Sequence, residues 1–202
     1  MNIFLITGAL LFGIPSHSST NGGELERMNV DSKSSNVTWV GEKVTGSHNG
    51  DIQISSGFIT MEEGLISAAT VIIDMTTINT LDLEGRGKTS LDGHLKSDDF
   101  FGTDQFPTAQ FELNSVQPIR ATNGMNFAAN GTVTIKGRTA EVSFPIKVEQ
   151  GKKTVSIAGE IKLDRSQFDV RFRSKSFFDA AELGDKLIYD EFTIAFELVA
   201  NG

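Results

Sequence analysis

The chain has 202 residues, of which 39% are hydrophobic and 22% are charged, as in an ordinary globular protein. Its 18 Lys and Arg against 26 Asp and Glu give a net charge of −8, which argues against nucleic-acid binding, because neutralising phosphates needs clustered cations. The absence of cysteine excludes disulfides, a thiolate nucleophile and zinc–thiolate sites. The length fits a single domain, and we expect no cofactor.

The first residues form a short apolar run. Residues 3–14 (IFLITGALLFGI) are followed by Pro15 and a Ser-rich stretch at 16–23. Twelve residues are too few to cross a bilayer as a helix, which takes about 20, but they suit the apolar region of a secretory signal peptide. No Lys or Arg precedes the run, and no clear cleavage site follows it, so a simple N-terminal tail is the alternative. We predict a signal peptide and linker over 1–23, one domain over 24–202, a periplasmic or secreted location, and no transmembrane segment.

Alternation of apolar and polar residues dominates the chain from Val30 onward, and this period of two is typical of half-buried strands. The clearest case is 140–148, where Ala, Val, Phe, Ile and Val alternate with polar residues and a proline. The pattern predicts about eight strands, at 37–44, 51–61, 65–74, 108–116, 125–135, 140–148, 155–163 and 192–199.

Short glycine-containing turns separate several of these strands. They occur at 62–64, 122–124, 136–138 and 150–152, where glycine makes a positive φ inexpensive. Connections this short imply antiparallel pairing, because a parallel crossover needs a dozen or more residues. The sequence therefore predicts an all-β fold that either closes as a barrel or stacks as a sandwich.

Two segments interrupt the alternation. Residues 81–101 are polar and glycine-spotted, and the spacing of Leu91 and Leu95 predicts an inserted helix over 90–99. Residues 164–183 form a long connection that contains four phenylalanines and is predicted to include a short helical piece. A connection of this length inside a compact domain is often functional.

The residues that suggest catalysis do not form a convincing site. Ser97 lies three residues after His94 and would share a helix face with it, yet no Gly-x-Ser-x-Gly turn occurs. Residues 85–89 (GRGKT) resemble the end of a phosphate-binding loop but have Asp82 where its first glycine is required. The three histidines show no metal-binding spacing. We expect a structural role for His94, no metal site, no catalytic residue and no enzymatic activity, and keep a Ser97 hydrolase as a rival hypothesis.

Phenylalanine is unusually abundant. The chain has 15 Phe but one Tyr and one Trp, and 12 of the 15 lie at or after residue 100. Phe fills apolar volume without a polar atom that needs a partner. The excess indicates either a densely filled core or a cavity lined for an apolar molecule, since an eight-stranded barrel is near the size at which its interior just fills or keeps one small ligand.

Four segments together resemble the YceI family of bacterial lipid-binding, or polyisoprenoid-binding, barrels. They are Val30-Asp31-Ser32 leading to Val37-Thr38-Trp39, with Lys43 and Gly46-Ser47-His48; residues 94–101 (HLKSDDFF) followed by Phe106-Pro107; residues 131–139 (GTVTIKGRT) running to Phe144-Pro145; and residues 164–168 (DRSQF) with Gly184-Asp185 and the last strand. Their order and spacing span about residues 30–198, which is nearly all of the predicted domain.

The resemblance implies an antiparallel, eight-stranded, lipocalin-like β-barrel with an inserted helix near one end. It further implies a non-enzymatic protein that binds a long isoprenoid or acyl lipid in its lumen and carries or sequesters it. Export to the periplasm, a stress-related role and a homodimer are also in keeping with the family. The alternative is a barrel plugged by its own side chains that serves as an interaction module for a protein partner.

Candidate ligand-binding residues follow from the heavier face of each alternating strand. For the lumen we name Phe111, Phe127, Phe144, Ile146, Ile157, Phe192 and Phe196. For the head group at the mouth we name Arg165, Arg171 and Arg173 of the long connection, because a guanidinium fork suits a phosphate or quinone oxygen. These arginines could instead pair with surface carboxylates.

Overall fold

The computed structural model describes residues 25–202, so the signal peptide predicted at 1–23 lies outside the described part. The strands are β1 (Leu25–Val30), β2 (Asn36–Lys43), β3 (Gly46–Glu62), β4 (Leu65–Thr80), β5 (Thr108–Thr122), β6 (Met125–Ile135), β7 (Arg138–Gln150), β8 (Thr154–Asp164) and β9 (Ile188–Asn201). The helices are α1 (Gly85–Lys96) and α2 (Ala180–Leu183), with 3₁₀ turns at Arg165–Phe168 and Gly184–Lys186. Among residues 25–202, no helix has both the length and the apolar character that crossing a membrane requires.

Strands β2 to β9 form a closed antiparallel barrel of eight strands. Each pairs with the next in the chain, and β9 pairs with β2 to close the ring. The predicted all-β, eight-stranded, lipocalin-like barrel with an inserted helix is therefore confirmed, and the sandwich is excluded. The long connection over 164–183 carries short helical pieces, as expected.

Strand β1 was not predicted from the sequence. It continues the line of β2, because both lie between β3 and β9 and together occupy one position in the barrel. Residues 31–35 interrupt this line, since the Asp31 carboxylate accepts the backbone N–H of Lys33 and folds the chain into a local turn. Only Met28 of β1 is buried, so the strand lacks the regular alternation that identified the others.

The tight turns largely follow the predicted chemistry. Glu63, Asn123 and Lys136 have φ of 51°, 51° and 52°, and each precedes a glycine that also has positive φ. Two successive residues with positive φ match the twist of antiparallel strands. Gly151 is an exception, because it is not among the residues with positive φ, and its N–H donates to the Thr154 carbonyl.

The two ends of the barrel differ. One end, called here the turn end, carries the hairpins β3–β4, β5–β6 and β7–β8, whereas α1 and residues 165–187 lie over the other, called here the covered end. Helix α1 begins five residues before the predicted 90–99 and ends three residues earlier. It is tied to β4, because Asp92 accepts the Thr80 N–H at 2.8 Å and the Lys88 ammonium donates to the Thr80 carbonyl at 2.5 Å. These hydrogen bonds to the barrel stabilise the helix in a stretch whose glycines disfavour helix formation.

Candidate functional site: the barrel cavity

A cavity of about 240 Å³ lies inside the barrel. One water molecule needs only about 10–15 Å³ on the same measure, so this space is far larger than a packing defect. The turn end is closed by the tightly buried side chains of Met28, Met61, Val155 and Ala200. Leu95, Phe100 and Phe101 of the covered end line the opposite side of the cavity. The lumen is thus filled at its turn end and open in the middle.

Six of the seven lumen residues named from the sequence line this cavity, namely Phe111, Phe144, Ile146, Ile157, Phe192 and Phe196. Phe127 does not line it. Phe127 packs half-buried against the core near the β5–β6 hairpin, where it is opposite Pro118 and Ile146. Strand alternation identifies the inward face but not the depth along the barrel, and Phe127 shares the inward face of Ile146 without reaching the cavity lining. Whether the six residues bind a ligand stays a prediction.

Three phenylalanines form an aromatic wall along the cavity. The ring of Phe144 lies 5.7 Å from that of Phe111 and 5.9 Å from that of Phe196. The Phe111 ring lies over Gly131, where an added Cβ would be 2.8 Å from it. The Phe196 ring lies over Gly159, where an added Cβ would also be 2.8 Å away. These glycines leave room for the rings to lie against the barrel wall.

Gly41 lies on the inward side of β2 and has open space in front of it. It lines the cavity, and a Cβ placed there would meet no atom within 4 Å. This role was not predictable from the sequence, because a single glycine in an alternating strand is compatible with many functions. A larger residue substituted at Gly41 would therefore extend its side chain into the cavity.

The cavity opens sideways between β2 and β9. Its most exposed lining residues all come from these two strands: Val40, Glu42, Tyr189 and Glu191. Gly41 pairs with Phe192 and Lys43 pairs with Ile188, so three residues of β9 face one residue of β2. Such a bulge interrupts regular pairing. We call this gap the side opening.

Arg165 is buried beneath the covered end with only 2% of its surface exposed. Its Nε donates to the Tyr189 carbonyl, Nη1 donates to the carbonyls of Val170 and Phe172, and Nη2 donates to the Ile188 carbonyl, at 2.9–3.1 Å. The guanidinium has five N–H groups, and four are used in this way.

The remaining N–H of Arg165 has an acidic neighbour. Nη2 lies 3.5 Å from Oδ1 of the buried Asp190. Burial lowers the pKa of Arg165, while the carboxylates of Asp190 and Asp164 act to raise it. Four N–H groups of Arg165 are thus bonded within the protein, and the fifth is directed to a buried carboxylate rather than to solvent. Arg165 instead ties residues 170–172 to the start of β9, which corrects the expectation of a free guanidinium at the mouth.

Arg171 and Arg173 are exposed on the covered end. Arg171 Nε contacts Asp169 Oδ1 at 2.6 Å, a hydrogen bond that lowers the pKa of Asp169. The guanidinium of Arg171 also lies over the Phe177 ring at 5.0 Å, and that of Arg173 lies over the Phe172 ring at 4.8 Å. Pairing with a surface carboxylate thus applies to Arg171, and a head-group role for these two arginines stays a prediction.

His94 and Ser97 do not form a nucleophile–base pair. The Ser97 hydroxyl donates to the main-chain carbonyl of His94 at 2.7 Å, not to its ring. The imidazole packs edge-on against Phe172 and Phe100, with ring centres 4.4 and 5.6 Å away. Its Nε2 is buried without a hydrogen-bond partner among residues 25–202. Burial lowers the pKa of His94, with Asp99 raising it and Arg173 lowering it further. These contacts support a structural role.

The sequence and the structure both resemble known proteins. A family model described as a YceI-like domain matches residues 28–200. A UPF0312 protein of Staphylococcus aureus (strain N315) is 29% identical over 137 residues, covering 63% of this chain and 72% of the relative. The counterpart from strain bovine RF122 / ET3-1 is 28% identical over the same length.

Solved structures share the fold. BcnA of Burkholderia cenocepacia has a TM-score of 0.66 at 23% identity, covering 84% of this chain and 98% of that protein. A polyisoprenoid binding domain from Saccharophagus degradans, implicated in plant cell wall breakdown, has a TM-score of 0.62 at 14% identity, covering 89% and 99%. A Campylobacter jejuni YCEI protein has a TM-score of 0.51 at 18% identity, covering 100% and 93%.

Proposed function

The chain belongs to the YceI-like domain family, and on that premise we propose that it binds a long-chain apolar lipid in its barrel lumen. The lipid is isoprenoid-like or fatty-acyl, and the protein carries or sequesters it without chemical change. The observation that carries this proposal is the apolar cavity of about 240 Å³ with its side opening. The Saccharophagus domain of similar fold, described as polyisoprenoid-binding, supports the same ligand class.

The chemistry of the cavity wall favours an apolar guest. The inward-facing lining consists of aliphatic and aromatic side chains such as Ile146, Ile157 and the aromatic wall. A polar metabolite would lose its hydrogen bonds to water there and find few replacements. A hydrocarbon tail loses none, and its burial contributes about 25 cal/mol per Å².

The polar end of the ligand belongs at the side opening. Glu42, Tyr189 and Glu191 border the opening and are exposed to water. A head group placed there keeps its hydration while the tail occupies the lumen. The sequence also allowed a barrel plugged by its own side chains that binds a protein partner. That alternative requires a filled lumen, and the open space at Gly41 speaks against it.

Location and assembly are further parts of the proposal. The apolar run at residues 3–14 supports export, so we place the mature protein in the periplasm or outside the cell. A stress-related role and a homodimer are expectations from the family. Fractionation of the native host together with N-terminal sequencing of the mature protein tests export, and sedimentation equilibrium tests the dimer.

The deciding experiment compares two leucine substitutions. The full chain, Gly41→Leu and Gly93→Leu are purified without detergent and extracted with solvent, and the extracts are analysed by mass spectrometry. A Cβ meets no atom within 4 Å at either glycine, but Gly41 lines the cavity and Gly93 is on the exposed face of α1. We expect one long-chain lipid per molecule in wild type and Gly93→Leu, and little in Gly41→Leu. An empty wild-type extract, with a native mass equal to the bare chain, would overturn the proposal.

A further inference from the structure

Two neighbouring phenylalanines project from the covered end. Phe177 is 38% exposed and Phe178 is 51% exposed. Their backbone N–H groups both donate to the carbonyl of Ser174, which is fully buried, and the Ser176 hydroxyl donates to Asp190 at 2.8 Å. These hydrogen bonds fix the backbone that carries the two rings, and the rings remain exposed to solvent. Neighbouring exposed aromatic rings can form part of an apolar patch, and extended apolar patches are typical of interaction surfaces.

These rings adjoin the side opening. The Ile188 N–H donates to the Arg173 carbonyl at 3.0 Å, which joins the segment carrying the rings to the first residues of β9. Tyr189, the next residue, borders the opening. Val40 and Tyr189, on the two strands that frame the gap, are also exposed apolar side chains. Exposed apolar side chains thus lie both on the segment that carries the phenylalanines and on the two strands that frame the opening.

The same segment is locally basic. Residues 171–178 (RFRSKSFF) contain three cations and no acidic residue, in a chain with a net charge of −8. The acidic groups nearby are Asp169, which pairs with Arg171, and Glu42 and Glu191 at the opening. Beyond the basic segment, the same connection continues with the acidic residues Asp179, Glu182 and Asp185. Aromatic rings beside Lys and Arg suit the interface of a bilayer, where the rings enter the headgroup region and the cations meet lipid phosphates.

We propose that residues 171–178 dock the covered end onto an anionic phospholipid bilayer, so that a lipid passes between membrane and lumen through the side opening. This inference rests on the proposed function, because it describes how the cargo of that cavity is loaded. Docking to a second copy of the chain is disfavoured, since a symmetric contact would bring two sets of three cations together. A bilayer instead offers both the apolar depth and the opposite charge.

Vesicle flotation tests the docking surface. The full chain is mixed with vesicles of phosphatidylcholine alone or with phosphatidylglycerol at about three to one, and the bound fraction is measured across a lipid titration. We expect binding to the anionic vesicles, and a loss of roughly tenfold in affinity for Phe177→Ser/Phe178→Ser. The control is Leu25→Ser/Leu65→Ser, which removes two exposed leucines at the turn end and should bind like wild type. Equal binding by the two double variants would overturn the proposal.

A local probe removes any contribution from the apolar run at residues 3–14. Phe178→Trp and Leu65→Trp are compared for quenching by brominated lipids in the anionic vesicles, each against the background of Trp39. Quenching of the tryptophan at 178 but not at 65 is expected, and equal quenching would overturn the proposal. Sedimentation equilibrium adds a further outcome: a dimer that Phe177→Ser/Phe178→Ser dissociates, without vesicle binding, would make a second copy the occupant and overturn it too.

Failure of docking and failure of the proposed function give different results. A wild-type extract that contains lipid, from a protein that does not bind vesicles, leaves the cavity function intact and refutes docking alone. Vesicle binding by a protein whose extract is empty refutes the lumen as a lipid site and leaves the surface as a membrane contact. Each experiment therefore bears on one claim.

Discussion

Replacing Arg165 with methionine should greatly destabilise the barrel. The substitution removes four hydrogen bonds to backbone carbonyls, from Nε to Tyr189 and from Nη1 and Nη2 to three more, and leaves the Asp190 carboxylate buried beside no cation. A hydrogen bond from a charged donor contributes about 1.5–3 kcal/mol, and breaking a buried ion pair costs about 3–5 kcal/mol. These effects overlap, so we expect a loss of about 4–6 kcal/mol in the free energy of unfolding, out of about 5–15 kcal/mol for a domain.

Urea denaturation followed by fluorescence of Trp39, the single tryptophan, measures this loss. Adding Asp190→Asn should recover part of it, because the buried charge is removed while the amide oxygen can still accept from Ser176. Lipid content per folded molecule should stay unchanged in Arg165→Met, since the guanidinium is buried and four of its five N–H groups are bonded to backbone carbonyls. A destabilisation below about 1 kcal/mol, the value of one ordinary hydrogen bond, would refute this reasoning. Loss of lipid from a stable variant would restore the head-group role.

Two further predictions concern single side chains. Gly131→Ala should lower the free energy of unfolding by about 1–3 kcal/mol, because the new Cβ would overlap the Glu112 carbonyl oxygen and press on the Phe111 ring. Gly41→Ala should change it by no more than about 0.5 kcal/mol, because the space in front of Gly41 is open. Urea titrations of both variants measure the two changes, and equal losses of stability would contradict the prediction. His94→Phe should reduce the loss of stability on acidification. Burial holds the folded pKa of His94 below its ordinary 6.5, so the unfolded state binds the proton more readily and wild type loses stability as pH falls through about 6.5. Denaturation midpoints at about pH 7 and about pH 5 test it, and an unchanged difference between them would exclude His94 as a cause.

The main features of the barrel were predictable because half-buried strands leave a direct pattern in the sequence. The alternation at 140–148 also identified the inward face, which is why Phe144 and Ile146 were correctly placed against the cavity. Depth along the barrel axis leaves no such pattern, so the sequence could not show that Phe127 packs near the turn end, outside the cavity lining. Strand β1 was missed because it buries a single apolar side chain.

The features that decide the site depend on contacts distant in sequence. Arg165 donates hydrogen bonds to carbonyls of two segments, residues 170–172 and 188–189. No local sequence motif predicts that these two segments contact the same guanidinium. The side opening depends on a jump in register between Gly41 and Lys43, which periodicity does not contain. Residue type alone suggested a head-group role for Arg165, whereas its burial and its hydrogen bonds to backbone carbonyls are visible only in the structure.

The pairing of β1 with β9 determines how the protein can be attached to something else. Asn29 lies opposite Asn201, and Leu25 lies opposite Glu62 at the β3–β4 hairpin, so both ends of the described chain leave from the turn end. The side opening is at the other end of the barrel, where β2 finishes and β9 begins. A tether, label or fused domain joined at the C-terminus therefore leaves the route into the lumen unobstructed. A sensor chip that holds the protein by its C-terminus would present the opening to the solution flowing over it.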